Sequence, residues 1–309
     1  MRGLRLIPVI VALGALAPGI ARAQAKKYEV RLKKAWVTKH QNRATVDARM
    51  TVRHTHKSAN PVKKGGDDGD IHFSGESADI GLPFVAEVVN AGLAAQSAAK
   101  ATIIAKQQSG AALDIAGAWR LWFEHPAKTQ TQGNANPFEP DHTNPDHSFE
   151  IHPASRIDAH NIGGSFIPIA GYEAYAADVA FPFFDGDSIT IKASSSAISI
   201  RSKKLKYNYV EFNIQLTKDP KAVQDGFIAL AKVLDDTGDE EAADGLRRMI
   251  FVAGTPAAAA IQNAVAGDRF RVLGVPRLNL NAILHLVNKN GTKQFNAKLP
   301  YEMIIIGVL

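Results

Sequence analysis

Acidic residues and histidines alternate in two short stretches of this sequence, "DGDIHFSG" and "NPDHSFEIHP". Side chains alternate between the two faces of a β-strand, so Asp70 lies on the same face as His72, and Glu150 on the same face as His152. Carboxylate oxygens and imidazole nitrogens are ligands for divalent ions, and the chain has no cysteine to provide thiolates. These four residues predict a divalent metal site, with the identity of the ion left open. The alternative is that each pair forms a structural hydrogen bond.

Catalytic candidates lie in neighbouring stretches. In "WRLWFEH", Arg120 and Glu124 share one strand face, while His125 lies on the other, so we expect at most one of Glu124 and His125 in the site and prefer Glu124. Glu87 lies within an apolar strand, where a buried carboxylate needs a partner. Glu124 or Glu87 is the predicted general base. Arg120 and Arg156 are predicted to stabilise developing negative charge through bidentate hydrogen bonds.

The charge of the chain is unevenly distributed. Between residues 24 and 64 there are twelve Lys and Arg against two acids, and between residues 65 and 160 five against thirteen. Nine of the ten histidines lie between residues 40 and 160. A basic segment beside an acidic, histidine-rich segment predicts a surface for nucleic acid or another polyanion next to a cation site. Two solvated faces of opposite charge are the alternative.

The first 23 residues have the pattern of a signal peptide. A short basic segment, "MRGLR", precedes the apolar run "LIPVIVALGALAPGI", and "ARA" ends it as a small-x-small cleavage motif. The apolar run is shorter than the ~20 residues that a spanning helix needs. We therefore expect a secreted or periplasmic protein, with no membrane association after cleavage.

The order of elements predicts the fold. Short β-type runs separated by turns dominate, and each half of the chain contains an Ala-rich helix followed by a strand, "SGAALDIAGAWRL" in the first and "AGDRFRVLG" in the second. This is the chain order of the oligonucleotide/oligosaccharide-binding (OB) barrel. We predict a mainly β protein, with an OB-like barrel at residues 24–161 and a second β-rich, OB-like domain at residues 162–309. A pair of β-sandwiches is the alternative.

Three stretches have less distinct patterns. "KYEVRLKKAWVTKH" and "AILHLV" are interpreted as strands, while "GFIALAKVLDD" fits either a strand or a helix. "DGDSITIKASS" echoes "DGDIHFSG".

No hydrolase elbow, P-loop, H-E-x-x-H motif or dinucleotide fingerprint occurs in the sequence.

The stretches "DGDIH", "VAE", "GAWRLW" and "FEIHP" carry a resemblance to known proteins. They are similar to a group of exported bacterial proteins of unassigned function, and their order resembles the thermonuclease-like barrel from about Trp36 to Ile157. Thermonucleases hold calcium with clustered carboxylates and bind phosphate with two arginines. The resemblance implies that Asp70 is a metal carboxylate and that Arg120 and Arg156 are the candidate arginines. His72 and His152 have no counterpart in that family's pattern, and its "RL-x-G-I-D-x-P-E" stretch is missing.

These observations together predict an exported, divalent-metal-dependent hydrolase acting on phosphodiesters, as a phosphodiesterase or nuclease. The metal would lower the pKa of bound water and polarise the phosphoryl oxygen. A non-catalytic OB-type module that binds nucleic acid or glycan is the alternative, and a structural protein of the cell envelope is a third interpretation.

Overall fold

The computed structural model describes residues 27–63, 67–134 and 140–309. The predicted signal peptide lies outside these residues. Strands dominate the described residues, and two of the three sheets close into five-stranded barrels. The predicted mainly β fold with two OB-like barrels is therefore confirmed.

Within the described residues the strands follow in the chain order β1 (Tyr28–Lys33), β2 (Thr45–Thr55), β3 (Ile71–Glu76), β4 (Pro83–Val88), β5 (Leu113–Leu121), β6 (Thr129–Thr131), β7 (Phe149–Ile157), β8 (His160–Asn161), β9 (Tyr175–Ala176), β10 (Ser188–Ala193), β11 (Ala197–Ser202), β12 (Val210–Leu216), β13 (Lys221–Val223), β14 (Gly226–Leu234), β15 (Arg247–Val252), β16 (Arg269–Leu278), β17 (Phe295–Lys298) and β18 (Tyr301–Val308). The α-helices are α1 (Lys34–His40), α2 (Ser97–Ser109), α3 (Ala177–Asp185), α4 (Pro256–Ile261) and α5 (Leu280–Asn290). Two single turns of 3-10 helix lie at Ala94–Gln96 and Gly163–Ser165.

The first barrel consists of β2, β3, β4, β7 and β5 in that order around the barrel. All pairs are antiparallel except the closing pair β4–β7, which is parallel. Helix α2 lies between β4 and β5 in the chain. Five strands joined in this order, with a helix between the third and the fourth, are the arrangement of the OB barrel.

The second barrel repeats this arrangement with β12, β14, β15, β18 and β16. Its parallel closing pair is β15–β18, and α4 lies between its third and fourth strands. The predicted correspondence of "SGAALDIAGAWRL" with "AGDRFRVLG" is confirmed, because β5 and β16 are both the fourth strand of their barrels. The echo in "DGDSITIKASS" is not a barrel repeat, since this stretch forms β10 of the third sheet.

The third sheet is open, in the order β17-β10-β11-β1-β6. It takes β1 and β6 from before residue 161 and its other strands from after it. The strands of the first barrel all lie before that position, since the last of them ends at Ile157. The strands of the second barrel all lie after it, since the first of them begins at Val210. The predicted division at residues 161 and 162 remains a prediction.

Two predicted strands are wrong in part or in whole. "KYEVRLKKAWVTKH" forms β1 and then α1, while "AILHLV" lies within α5. Helix α5 begins after Asn279, whose side chain accepts a hydrogen bond from the backbone of Ala282, and its buried residues recur at helical spacing. "GFIALAKVLDD" forms β14.

The two barrels pack against each other through an apolar layer of their outer surfaces. Ala118 of β5 lies in one cluster with Leu273 and Val275 of β16. Arg277, also on β16, is fully buried, stacks 3.6 Å from the ring centroid of Trp119, and donates hydrogen bonds to backbone carbonyls of the first barrel. The outward face of the first barrel is therefore covered where it meets the second half of the chain.

Candidate metal centre

The register of the first barrel brings the acidic and histidine side chains together. His72 of β3 lies directly opposite Glu87 of β4 in the antiparallel ladder. The parallel pair that closes the barrel aligns Ala86 with Ile151, so the next residues, Glu87 and His152, are neighbours. Gly117 of β5 permits the close approach of β7 at this point, because an added Cβ would collide with the backbone of Pro153.

Five side chains form a compact group, called here the acid–His cluster: Asp68, Asp70, His72, Glu87 and His152. One ligand atom from each of Asp68, Glu87 and His152 lies within 4.8 Å of the others, and the same is true of Asp70, His72 and Glu87. Glu87 belongs to both sets. Buried Asp, Glu and His side chains in this arrangement could hold a metal ion.

Distances within the acid–His cluster are short. The Nε2 atom of His72 is 2.5 Å from Oδ2 of Asp70 and 3.3 Å from Oε1 of Glu87. The Nδ1 atom of His152 is 3.0 Å from Oε2 of Glu87. Oδ2 of Asp70 and Oε2 of Glu87 are both buried, and the contact of each with its histidine nitrogen is poorly aligned for a hydrogen bond. Buried oxygens without aligned donors are costly, and a cation would satisfy both of them.

The pKa values of several groups in the acid–His cluster are shifted, because these groups are buried and close together. Burial and the neighbouring Asp70 and Glu87 carboxylates raise the pKa of Asp68 to about 8. Burial opposes protonation of His152, but the charge of Glu87 and hydrogen bonds to Glu150 and Glu87 raise its pKa to about 10. The pKa of His72 also rises well above its usual value, because the Glu87 and Asp70 carboxylates outweigh its burial. Without a metal, protons therefore supply the positive charge that the carboxylates require.

Glu87 stays ionised in this setting. Burial alone would raise the pKa of Glu87, but the charges of His152 and His72 and their hydrogen bonds lower it well below the usual range. Its side chain is 6% exposed. The predicted general base is thus a buried carboxylate at the centre of both candidate ligand sets.

Glu150 lies beside the cluster but is held by a second network. Arg120 donates to Glu150 at 2.5 Å and to Glu124 at 2.8 Å, and His147 lies 2.8 Å from the other Glu150 oxygen. Burial raises the pKa of Glu150, but Arg120 and His147 lower it well below its ordinary value. Glu150 also approaches Nδ1 of His152 at 3.4 Å. Three of the four predicted ligands are therefore in the cluster, with Glu150 adjacent.

His152 is oriented by the second half of the chain. Its Nε2 atom is 2.7 Å from the hydroxyl of Tyr209, just before β12. Burial and the nearby Asp68 and Glu87 carboxylates raise the pKa of Tyr209 well above its ordinary value, so the hydroxyl keeps its proton. Fixing one ring nitrogen leaves Nδ1 facing Glu87, which is how proteins orient metal-binding histidines.

The cluster forms one wall of a polar cleft. The cleft has a volume of about 310 Å³ and is lined by Asn60, Asp67, Asp68, Asp70, His72, Glu87, Glu124, His125, Asn144, Glu150, Tyr172, Tyr175, Tyr207 and Asn208. The tyrosines and Asn208 come from the second half of the chain, opposite the first barrel. Among the described residues, no Lys or Arg lines this cleft.

The structure brings some predicted residues together and separates others. Glu124 and His125 both line the cleft, so the expectation that at most one would do so is wrong; β5 ends at Leu121, and strand alternation does not apply beyond it. Each guanidinium nitrogen of Arg120 donates a hydrogen bond within the protein, Nε to the carbonyl of Pro276 and the other two to Glu150 and Glu124. Arg156 lies outside the cleft lining, 40% exposed and paired with Asp47.

Sequence reasoning missed two residues of the site. Asp68 could have been found, because it begins the "DGD" turn and lies two residues before Asp70. Tyr209 could not, since no local pattern indicates that "KYNYV" packs against β7 of the first barrel. Its contact with His152 joins residues 57 positions apart.

Comparisons with known proteins add little to this geometry. The chain matches no protein-family model and no curated protein. A solved structure described as "Structure of murine DNA binding protein bound with ds DNA" aligns with 12% sequence identity over 85% of this chain and 99% of that chain, at a TM-score of 0.18. A TM-score this low does not indicate a shared fold. Among the described residues, no helix is long and apolar enough to cross a membrane.

Proposed function

We propose that this protein is an exported, divalent-metal-dependent hydrolase, with phosphodiesters as its substrate class. The observation that carries the proposal is the acid–His cluster, in which buried Asp70 and Glu87 oxygens without aligned hydrogen bonds meet histidine nitrogens at the wall of a cleft. Nitrogen and oxygen donors of this kind suit catalytic divalent ions, which keep a coordination position for water. Export is supported by the sequence pattern of the first 23 residues.

The surrounding residues have distinct roles in this proposal. A bound divalent ion would lower the pKa of water and polarise the phosphoryl oxygen. Glu87 is among the candidate ligands, which leaves Glu124, on the lining of the cleft and 20% exposed, as the general base. Arg120 holds Glu124 through a charge-assisted hydrogen bond of 2.8 Å and so positions that base.

The arginines do not support direct phosphate binding. All of the Arg120 donor groups that bond within the protein reach Glu150, Glu124 or Pro276, and Arg156 pairs with Asp47 away from the cleft. Charge neutralisation of a phosphodiester would therefore come from the metal. This departs from the two-arginine pattern that the thermonuclease resemblance implies.

Metal analysis and activity assays test the proposal. The purified protein should bind manganese or zinc, and it should hydrolyse bis(p-nitrophenyl) phosphate or single-stranded DNA with that ion but not in EDTA. Glu124→Gln should retain metal binding and lose most activity, on the order of 100-fold for a general base. Glu240→Gln, at an exposed site outside the cleft, is the matched control. Metal-independent hydrolysis, or no metal binding, would reject the proposal.

A second candidate function is metal-dependent glycan binding without catalysis. The specific observation is the lining of the cleft, where tyrosine and asparagine side chains face carboxylates and no described Lys or Arg is present. Tyrosine rings and amide groups suit the apolar faces and hydroxyls of neutral sugars. Binding of neutral oligosaccharides in the presence of metal, with no turnover of phosphodiesters, would favour this function over the first.

A further inference from the structure

We propose that the acid–His cluster holds two divalent ions, bridged by the carboxylate of Glu87. The inference rests on the proposed metal centre and specifies its nuclearity. It would make the site a two-metal centre, in which ions about 3.5–4 Å apart act on the attacking and leaving oxygens of one substrate.

The two oxygens of Glu87 face different partners. Oε1 is 3.3 Å from Nε2 of His72, whereas Oε2 is 3.0 Å from Nδ1 of His152. One oxygen is thus directed to the set that contains Asp70, and the other to the set that contains Asp68. A carboxylate with one oxygen directed to each of two ligand sets has the geometry of a bridge between two ions.

Each set offers a similar group of ligands. Asp70 immediately precedes β3 and His72 is its second residue, while Asp68 and His152 come from the preceding turn and from β7. Each set therefore contributes one aspartate and one histidine in addition to its share of Glu87. The remaining coordination positions would face the cleft, where water and substrate can enter.

The charge of the site also fits two ions. With neutral histidines, the five carboxylates of this region and the single guanidinium of Arg120 leave a formal charge of −4; the carboxylates belong to Asp68, Asp70, Glu87, Glu124 and Glu150. Two divalent ions balance that charge, whereas one leaves half of it to be balanced by protons. Uncompensated charge in a buried place is costly.

Manganese titration with electron paramagnetic resonance tests the inference directly. The metal-free protein, titrated with Mn²⁺ alone, should bind two equivalents and give the broadened, exchange-coupled spectrum of neighbouring ions. Asp68→Asn and Asp70→Asn should each reduce the stoichiometry to one equivalent with an uncoupled six-line spectrum. Asp236→Asn, the same chemical change at an exposed residue outside the cleft, should retain two coupled ions.

The outcomes separate this inference from the function on which it rests. One equivalent in the unsubstituted protein, with an uncoupled spectrum, would overturn the two-ion centre and leave the proposed hydrolase standing. Two equivalents without coupling would mean separate sites and would likewise overturn the bridge. No binding at all would overturn both proposals. Because the measurement on the unsubstituted protein is decisive, a variant that fails to fold does not weaken the test.

Discussion

His72 is the member of the acid–His cluster that is best suited to substitution. Its side chain is 19% exposed, whereas those of Asp70 and His152 are at most 1% exposed. Truncating it therefore leaves a recess open to the cleft instead of a closed cavity in the protein. His72 also lines the cleft, through which an ion from solvent can reach the cluster.

We expect His72→Ala to weaken the binding of zinc or manganese by at least about ten-fold, because a nitrogen ligand is lost. Since an ion that binds only the folded state raises the melting temperature, the metal-induced rise in melting temperature should shrink as well. Isothermal titration and thermal melts with and without metal measure both effects. His285→Ala, on the exposed face of α5, is the control, and equal affinity in both variants would contradict a ligand role for His72.

Residue types and their alternation along a strand predict part of the candidate site. Strand alternation groups Asp70 with His72 and Glu150 with His152, and this grouping needs only the local sequence. It does not reveal which strands are neighbours, and the parallel pairing of β4 with β7 is what places Glu87 between the two histidines. The ion pairs of Glu150 with Arg120 and His147 likewise depend on tertiary contacts that the alternation of side chains along a strand does not predict.

At the scale of elements, the start of β2 is held by a turn of the second barrel. Asp225, between β13 and β14, accepts hydrogen bonds from the backbone N–H groups of Ala44 and Thr45, from the Thr45 hydroxyl and from Arg43. Burial raises the pKa of Asp225, but these donors outweigh it and the net shift is downward. The ionised carboxylate is therefore the form that joins the two elements.

The pH dependence of stability should reveal this contact. A carboxyl with a depressed folded-state pKa contributes stability above its unfolded pKa of about 3.9, and that contribution disappears as the pH falls through the folded-state value. Asp225→Asn should therefore lower the free energy of unfolding at pH 7, and the loss should be smaller near pH 3, below the unfolded pKa. Urea unfolding at both pH values measures the difference, with Asp236→Asn as control. An equal loss at both pH values would mean that the charge does not matter.

Helices and strands with a clear hydrophobic period can be predicted from the sequence, whereas short segments whose spacing fits both periods cannot. The Ala-rich stretch predicts α2, and the helix-then-strand order of each half predicts both barrels. "AILHLV" is only six residues long, and its spacing fits either period; the deciding signal is the Asn279 cap shortly before it. Helix α1 follows β1 without a break, so no turn residue marks the change.

At the scale of the whole molecule, one buried arginine joins the two barrels. Arg277 is 2.8 Å from Glu302 within the second barrel and donates to carbonyls of Arg43, Ala44 and Trp119 in the first half. Desolvation lowers the pKa of Arg277 to about 10, so it remains charged at neutral pH. Its guanidinium satisfies backbone groups that the packing of the barrels shields from water.

Removing this side chain should affect the whole protein. We expect Arg277→Ala to reduce the free energy of unfolding by about 3–5 kcal/mol, because Glu302 and the carbonyls lose a buried partner. Arg269→Ala, on the same strand but exposed, should cost much less. Denaturant unfolding followed by tryptophan fluorescence compares the two, and a loss for Arg277→Ala no larger than that for Arg269→Ala would contradict the stabilising role of the buried arginine.

The third sheet cannot form until late in the synthesis of the chain. Tyr28 at the start of β1 pairs with Ser202 at the end of β11, so the earliest strand to be synthesised waits for one of the later ones. At about 5–20 residues per second, a ribosome needs roughly ten to thirty seconds to cover that interval. Throughout this time one edge of β1 lacks its antiparallel partner, and on the other edge β6 can supply only a short parallel one. The first barrel has all of its strands well before then, so β1 is the strand whose open edges need protection from aggregation until β11 has been made.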